Sequence, residues 1–461
     1  MLWWTVHQLK SSDRDSKIRA ARALGSAKER KAVPALIKLL ADENADLRSA
    51  AIEALGAIAD PASAEPLVSA LSSPHRSAQG TTEHESLARA LARLGTAAVK
   101  PLIQALASEN SQTRRWAACA LGMIKDPQAL DPLTEKLDDS RSEVRKAAAL
   151  ALGEIGDLRA VKRLVHALAN RDPDTRRAAS EALGGLRSEE GIPALTRAVL
   201  DSSEPVQVAA AKALAKIGGL AAAGSLRSAI SGMRKTAQGA AEAALETMSF
   251  SPANAGERAE VAVIRGDFEA ATREGPAAVP ALVGALGFKD PQWRARAAAA
   301  LAHFPSPDLV QLFLQCLKDH DAAVQESAAR ALAGIGEAAR RGLEETLSFY
   351  DASAVRLAAS ALGEMGGSCS VPALADLISE NSVIAAEYPD LFDAVCAAAE
   401  SLRKILSLSP EKIPQQDLER IASLPREVRL LGSSPKQLDC SHLHNQAAEE
   451  VRRRQSVVGG R

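Results

Sequence analysis

The chain has 461 residues, more than one compact core usually holds, so several domains or a repeat array are expected. Ala and Leu carry most of its 46% hydrophobic content and aromatic residues make up only 3%, which suits closely packed helices. The formal net charge of −1 argues against a protein that binds nucleic acid with its whole surface. Five scattered cysteines without a C-x-x-C pair argue against a disulfide framework and indicate small buried apolar residues or free thiols in a reducing compartment.

The first residues, "MLWWTVHQLK", lack the basic region and the long apolar core of a secretory signal. They are typical of a helix, and Trp3 and Trp4 are interpreted as an N-terminal cap or a docking edge. No apolar run reaches the roughly 20 residues that a membrane-spanning helix needs. We therefore expect a cytoplasmic protein with no membrane segment.

A segment that contains a Leu-Gly pair recurs along the chain, and we call it the repeated line. Its clearest copies are "LRSAAIEALGAIAD" (47–60), "TRRWAACALGMIKD" (113–126), "VRKAAALALGEIGD" (144–157) and "TRRAASEALGGLRS" (175–188). Gly122, Gly153 and Gly184 are 31 residues apart, and weaker copies continue to "VRLAASALGEMGGS" (355–368). A fixed period of this size is typical of a solenoid.

A second pattern, Pro followed by spaced Leu residues, lies between these lines, as in "VPALIKLL" (33–40) and "VPALADLI" (371–378). Proline suits the first turn of a helix. Each repeat is therefore predicted to be a helix A, a polar turn and a helix B, with Asp or Asn of the turn capping helix B.

Helical phase predicts which side of helix B is buried, taking Val144 as the origin. The side facing the core holds Ala147, Ala148, Ala151, Leu152 and Ile155. The opposite side holds Lys146, Ala149, Leu150 and Gly153. One such hairpin cannot bury its apolar face alone, so neighbouring repeats must stack.

These lines resemble HEAT repeats, particularly the short Ala-rich bacterial type that is also found in phycobilisome lyase subunits, over residues 2–406. The resemblance implies an all-α fold: an α-solenoid of stacked antiparallel helix pairs, with about a dozen repeats in two arcs of a HEAT-like superhelix. It also implies that helices B line the concave face.

The HEAT pattern Asp-x5-Arg, which links neighbouring turns in such arrays, is matched by Asp42 with Arg48 and by Asp139 with Arg145. Gln207 and Gln325 replace the arginine in later repeats. We expect the ladder of turns to be interrupted at those two repeats.

The repeat pattern divides the chain into four parts. They are an N-terminal arc (1–248), an irregular break or hinge (249–276), a C-terminal arc (277–406) and a linker-like tail (407–461). We expect two short helices in the break and two more in the tail, near 415–424 and 445–455. Extra residues at 72–82 are interpreted as a surface loop.

Candidate chemistry is sparse. Deoxyhypusine hydroxylase, a HEAT-like di-iron enzyme, needs several His-Glu pairs, whereas this chain has one, His84-Glu85. The segment "DCSHLH" has zinc-binding residue types but lacks the two separated ligand pairs of a structural zinc site, so a polar tail is favoured. Its four candidate ligands are Asp439, Cys440, His442 and His444. We predict no catalytic residue, metal or cofactor.

A row of cations is the best candidate for a binding site. Arg115, Lys146 and Arg177 occupy one equivalent position of helix B, 31 residues apart, on the side away from the core. Arg114 flanks this row, and Trp116 is an aromatic residue of the kind that anchors partners. We predict that a protein partner binds at these five residues through an acidic segment.

The alternative interpretation is a solvated face neutralised within itself, for instance by Glu181 four residues after Arg177.

Three functions remain open. The first is a non-enzymatic scaffold or adaptor that binds a protein on the concave face. The second, from the resemblance, is a lyase or chaperone-like subunit acting on a chromophorylated protein. The third is nucleic-acid binding by residues 1–248, whose 34 basic and 29 acidic residues give +5. Because that excess is small, we do not expect nucleic acid to be the main partner.

Overall fold

Helices make up nearly all the regular structure of this computed structural model, which describes residues 7–9, 11, 13–72, 80–348, 351–382, 385, 388–430 and 436–458. The chain forms two units, Met1–Phe250 and Ser251–Arg461. Trp3, Trp4 and most of the predicted loop at 72–82 lie outside the described residues. No helix in the described ranges is long and apolar enough to cross a bilayer.

Unit 1 alternates helices A, with even numbers, and helices B, with odd numbers. In chain order they are α1 (Arg14–Ser26), α2 (Val33–Leu39), α3 (Ala45–Ile58), α4 (Ala64–Leu71), α5 (Gly80–Leu94), α6 (Thr96–Ala105), α7 (Ser111–Ile124), α8 (Leu130–Glu135), α9 (Ser142–Ile155), α10 (Val161–Ala167), α11 (Pro173–Leu186), α12 (Ile192–Ala198), α13 (Glu204–Ile217), α14 (Gly219–Ala229) and α15 (Lys235–Thr247). Each helix B packs on the preceding and following helices B, and each helix A packs on the helix B of its own pair. The fold is an α-solenoid, as predicted.

Turn residues start the helices largely as the sequence predicts. The side chain of Asn44 accepts a hydrogen bond from the N–H of Leu47 at 3.0 Å, and Asp172 caps α11 through the N–H of Thr175 at 3.0 Å. Helix α9 differs, because it starts after Arg141 without a side-chain cap.

The predicted core side of helix B is mostly correct, but the predicted open side is too wide. Ala148 and Leu152 are buried as expected, whereas Ala149, assigned to the open side, is also fully buried. Gly153 lies against α11, where an added Cβ would be 2.7 Å from the Cα of Ala182. The physical reason is that helix B packs on three helices, so only a narrow strip stays open.

The glycine of the repeated line is a contact between helices B. The same close approach, with an added Cβ at 2.7–2.8 Å from an alanine Cα, recurs along unit 1. The pairs are Gly25 with Ala54, Gly56 with Ala90, Gly122 with Ala151, Gly153 with Ala182, and Gly184 with Ala213. Because neither partner has a large side chain, the two backbones can approach closely.

Arginines of the turns link each repeat to the next. The guanidinium of Arg114 donates to both carboxylate oxygens of Asp139, at 2.8 and 2.9 Å. It also donates to the carbonyls of Ser108 and Glu109 in its own turn, at 2.8 and 3.0 Å. The same bidentate pairing joins Arg176 to Asp201 and Arg294 to Asp319.

The arginines of the Asp-x5-Arg pattern link neighbouring repeats, as expected, and they do so through carboxylates of the next pair. Arg48 donates to the backbone carbonyl of Asp42 at 2.8 Å, while its carboxylate partner is Glu83 of the next pair, at 2.8 Å. Arg145 likewise donates to the carbonyl of Asp139 at 2.9 Å and lies 3.4 Å from the carboxylate of Asp172. Each arginine thus donates to carbonyl oxygens of its own turn and to a carboxylate of the next helix pair.

The two glutamines interrupt the ion pairs, as predicted, but keep hydrogen bonds. Gln207 donates to the carbonyl of Asp201 at 2.6 Å and accepts from the N–H of Arg234 at 3.0 Å. Gln325 donates to the carbonyl of Asp319 at 2.8 Å. These links are uncharged.

Unit 2 continues the alternation of even-numbered helices A and odd-numbered helices B. Its elements are α16 (Ala255–Arg265), α17 (Phe268–Arg273), α18 (Val279–Ala285), α19 (Pro291–Leu301), α20 (Val310–Cys316), α21 (Ala322–Ile335), α22 (Glu337–Thr346), α23 (Ala352–Met365), α24 (Val371–Asn381), α25 (Pro389–Leu408), α26 (Gln415–Ala422), β1 (Glu427–Leu430), β2 (Lys436–Asp439) and α27 (Ser441–Val458). Helices α16 and α17 are the two short helices expected at 249–276, and they pack on α18 and α19 as a shortened pair. That this segment acts as a hinge stays a prediction.

The tail at 407–461 contains the two helices expected near 415–424 and 445–455, and they pack on the repeats instead of forming a linker. Helix α26 packs on α24 and on α27, and α27 packs on α25, so the tail adds a final helix pair. Strands β1 and β2 form an antiparallel hairpin between its two helices. Its buried apolar residues include Ile413, Leu418, Ile421, Leu424 and Leu443. The pair lacks the Ala-rich Leu-Gly line, which is why the repeat pattern did not reveal it.

Candidate protein-binding face

One face of the helices B in unit 1 stays open, and we call it the B face. On α1 to α13 it consists of three rows, at equivalent positions seven before, three before and one after the contact glycine. In α5 and α13, Ala92 and Ala215 take the place of that glycine. The first row is Ile18, Ser49, Glu85, Arg115, Lys146, Arg177 and Val208; the second is Arg22, Glu53, Arg89, Cys119, Leu150, Glu181 and Lys212; the third is Ser26, Ala57, Arg93, Met123, Glu154, Gly185 and Lys216. Every one of these residues is exposed or half-buried.

One groove on the B face, groove 1, has a volume of about 830 Å³ and crosses α9, α11 and α13. Its charged lining residues are Glu154, Arg177, Glu181, Glu204, Lys212 and Lys216. Its less polar lining includes Leu150, Gly185, Pro205 and Val208. The groove thus combines apolar contact surface with charges of both signs.

Several of these charges are already paired. Arg177 contacts Glu181 at 2.7 Å and Asp174 at 3.7 Å, so the internal neutralisation considered from the sequence is present. Glu154 pairs with Lys125 at 2.8 Å.

The unpaired charges of groove 1 lie on α13. Lys212 and Lys216 are exposed and form no ion pair within the described part of the chain. Glu204, also without an ion pair there, lies in the first turn of α13, where the helix dipole favours a carboxylate. It is eight residues, or about 12 Å, from Lys212 along the helix. The C-terminal half of α13 is therefore the cationic part of the groove.

Two of the five predicted binding residues lie inside the fold. Arg114 is held by Asp139, with 12% of its side chain exposed. Trp116 is buried, and its ring stacks on that of His84 at a centroid distance of 6.1 Å. The reason is that position 116, one residue after the open row, turns toward α5.

The other three predicted residues lie on the first row of the B face. Arg177 lines groove 1, and Lys146 is half-buried beside it on α9. The guanidinium of Arg115 lies 5.0 Å from the ring centre of Trp116. Sequence reasoning missed Lys212 and Lys216, although extending the 31-residue spacing from Leu150 and Glu154 leads to both.

Residues of the two other candidate sites make contacts within the chain. Glu85 pairs with Arg89, and the carboxylate of Asp439 accepts from the N–H of Ser441 at 2.8 Å. Burial raises the pKa of the Cys440 thiol to about 11, so it is protonated at neutral pH. Across the described residues, no three His, Cys, Asp or Glu side chains are grouped as metal ligands would be.

Stacked helix pairs, contact glycines and forward-reaching arginines define a solenoid of short helical repeats. A family model described as HEAT repeats matches residues 4–84, 85–153, 99–179, 161–246, 258–333, 279–348 and 310–387. The chain belongs to the HEAT-repeat family.

Comparison with known proteins shows a similarity over part of the chain. A bilin biosynthesis protein, PecE, from Mastigocladus laminosus is 39% identical over 116 residues, which are 24% of this chain and 41% of that protein. The chain thus spans less than half the length of this relative.

Among solved structures, the complex of CpcE and CpcF of phycocyanin lyase from a Nostoc species matches at 23% identity and a TM-score of 0.28, over 59% of this chain and 94% of that one. Human deoxyhypusine hydroxylase matches at 24% identity and a TM-score of 0.25, over 47% and 84% of the two chains.

Proposed function

We propose that this protein is a non-enzymatic cytoplasmic scaffold or adaptor that binds a protein partner on the B face of unit 1. The observation that supports this most is groove 1, which crosses three consecutive helices B and combines half-buried apolar side chains with unpaired lysines. Helices B are held at fixed spacing by the glycine contacts and the arginine links, so the groove is preorganised, which lowers the entropic cost of binding.

The chemistry of the groove favours an acidic partner segment that carries an apolar side chain. Lys212 and Lys216 offer ammonium groups that no described carboxylate neutralises. Leu150 and Val208 are half-buried and provide apolar surface on α9 and α13. Arg115 and Lys146 extend the positive charge along the first row, whereas Arg177 on that row is paired with Glu181.

Charge reversal in groove 1 should weaken partner binding. We expect Lys212→Glu/Lys216→Glu to reduce the affinity for the native partner by about ten- to a hundredfold, since each lost exposed charge contact costs up to about 1 kcal/mol and reversal adds repulsion. Isothermal titration calorimetry with the purified partner measures this, and raising the salt concentration should weaken the wild-type complex.

The matched control is Lys38→Glu/Lys162→Glu, which changes the net charge equally at exposed positions of helices A. It should bind like the wild type. Equal weakening by both double variants would mean that only net charge matters, and unchanged binding by the groove variant would remove groove 1 as the site.

A second candidate function is a lyase or chaperone-like subunit acting on a chromophorylated protein, which the similarity to PecE favours. Mixing the purified chain with a bilin-bearing protein and following the bilin absorbance tests it. Transfer or release of the bilin that depends on this chain would establish that function. An unchanged absorbance spectrum would exclude it and leave the scaffold as the proposed function.

A further inference from the structure

A second groove lies on the same B face, at the other end of unit 1. This groove 2 has a volume of about 440 Å³ and crosses α1, α3 and α5. Its floor consists of small residues, among them Gly25, Ala54 and Ala90, which are members of the glycine contacts. The small floor leaves room for a partner's backbone to approach.

The rim of groove 2 is mostly basic. It carries Arg22, Arg89 and Arg93, against Glu53 in the middle. Arg89 is paired with Glu85, whereas Arg22 and Arg93 are exposed and make no ion pair with any residue that the structure describes. Two guanidinium groups are thus available on either side of Glu53.

The two grooves are continuous along the same three rows. Between them, α7 carries Cys119 and Met123, whose side chain is 45% exposed. Leu150 of α9, at the near edge of groove 1, continues this apolar strip. Arg115 and Lys146 run beside these apolar residues on the first row. The surface therefore has exposed cations at both ends, and its apolar side chains lie in the middle, beside the cations of the first row.

The charge balance of the rows is positive. Eight basic residues (Arg22, Arg89, Arg93, Arg115, Lys146, Arg177, Lys212 and Lys216) face four acidic ones (Glu53, Glu85, Glu154 and Glu181), so the rows carry 8 − 4 = +4. Unit 1 up to residue 248 carries +5, and the rows therefore hold most of its excess charge.

We propose that one extended partner segment, acidic at both ends and apolar in the middle, lies along the B face and occupies both grooves at once. This inference rests on the proposed function for groove 1 and adds groove 2 as a second contact. Neighbouring packed helices are about 8–10 Å apart, so the four steps from α3 to α11 span about 35 Å. An extended chain rises about 3.3 Å per residue, so the segment needs about a dozen residues.

Two linked contacts should bind more tightly than either alone, because the second contact forms at a high effective concentration. The test uses three fluorescein-labelled synthetic peptides. The long peptide has four Glu, six residues rich in Leu and Gly, and four Glu; the half peptide has four Glu and three of the central residues; the reversed peptide has Lys for every Glu. Fluorescence anisotropy measures their affinities for the full chain.

The long peptide should bind at least tenfold more tightly than the half peptide, and the reversed peptide should not bind. Arg22→Glu/Arg93→Glu and Lys212→Glu/Lys216→Glu should each weaken the long peptide at least tenfold, whereas Lys38→Glu/Lys162→Glu should change its affinity less than twofold. Circular dichroism of each variant checks that the helices are intact.

The outcomes separate this inference from the proposed function. If the groove 2 variant binds the long peptide within twofold of the wild type while the groove 1 variant binds it weakly, the two-groove segment is wrong and groove 1 stands. If the long peptide binds no better than the reversed one, both are wrong. Displacement of the long peptide by a lower concentration of single-stranded DNA than of unlabelled peptide would overturn the protein segment in favour of nucleic acid.

Discussion

Replacing Gly122 with alanine should lower the free energy of unfolding by about 1–3 kcal/mol, although alanine favours helices more than glycine does. The added Cβ would lie 2.8 Å from the Cα and 2.9 Å from the Cβ of Ala151 on α9. Backbone cannot move aside as a flexible side chain can, so α7 and α9 must separate. Urea denaturation followed by circular dichroism measures the loss.

The matched control is Gly239→Ala in α15, where an added Cβ meets nothing within 4 Å. It should raise the free energy of unfolding by about 0.5–1 kcal/mol, the usual gain for alanine over glycine within a helix. Changes of opposite sign in the free energy of unfolding would show that packing between helices B is what requires glycine at position 122. A gain in stability from Gly122→Ala would contradict the close contact.

Breaking one arginine link should cause the second large loss of stability. Arg114→Ala should destabilise the chain by about 3 kcal/mol, the lower end of the range for removing one partner of a buried ion pair. It leaves Asp139, whose side chain is 6% exposed, without its two guanidinium bonds. Arg159→Ala is the control, because Arg159 pairs with Asp157 while its own side chain is 66% exposed, and we expect little change.

This link also predicts a dependence on pH. Burial raises the pKa of Asp139, but the hydrogen bonds from Arg114 and from the N–H of Arg141 outweigh it and hold the pKa below its ordinary value. The stabilisation is therefore full above about pH 4, the unfolded value, and is lost as the pH falls through the folded pKa. The difference between wild type and Arg114→Ala should shrink on acidification to about pH 3. A constant difference would show that Asp139 does not titrate with this link.

The architecture could be predicted because each repeat places the same residue types at a fixed spacing. The 31-residue period and the proline at the start of helix A are enough to predict stacked pairs. The partners of each side chain were harder to predict, since they depend on neighbouring repeats. Gly153 looks like an open-side residue on one helix and becomes a contact only when α11 is placed against it.

The candidate site could also be predicted only in part, because contacts between repeats are not visible in one helix. Arg115, Lys146 and Arg177 could be placed on one row from their spacing alone. Trp116 could not be recognised as buried, because its partner, His84, lies on α5, where extra residues break the regular period. The two helices of the tail were expected, but their packing was not, since they bury apolar residues without using the repeated line.

Site-specific photo-cross-linking in cells tests the partner-binding role of the B face most directly. A photoreactive phenylalanine analogue replaces Gly185, which is exposed in groove 1, and, in a separate variant, Lys162, which is exposed on helix α10. We predict that position 185 captures a specific protein, that the capture is lost on adding Lys212→Glu/Lys216→Glu, and that position 162 does not capture it. Capture of the same protein at position 162 but not at 185, or capture at 185 that survives the charge reversal, would contradict the account.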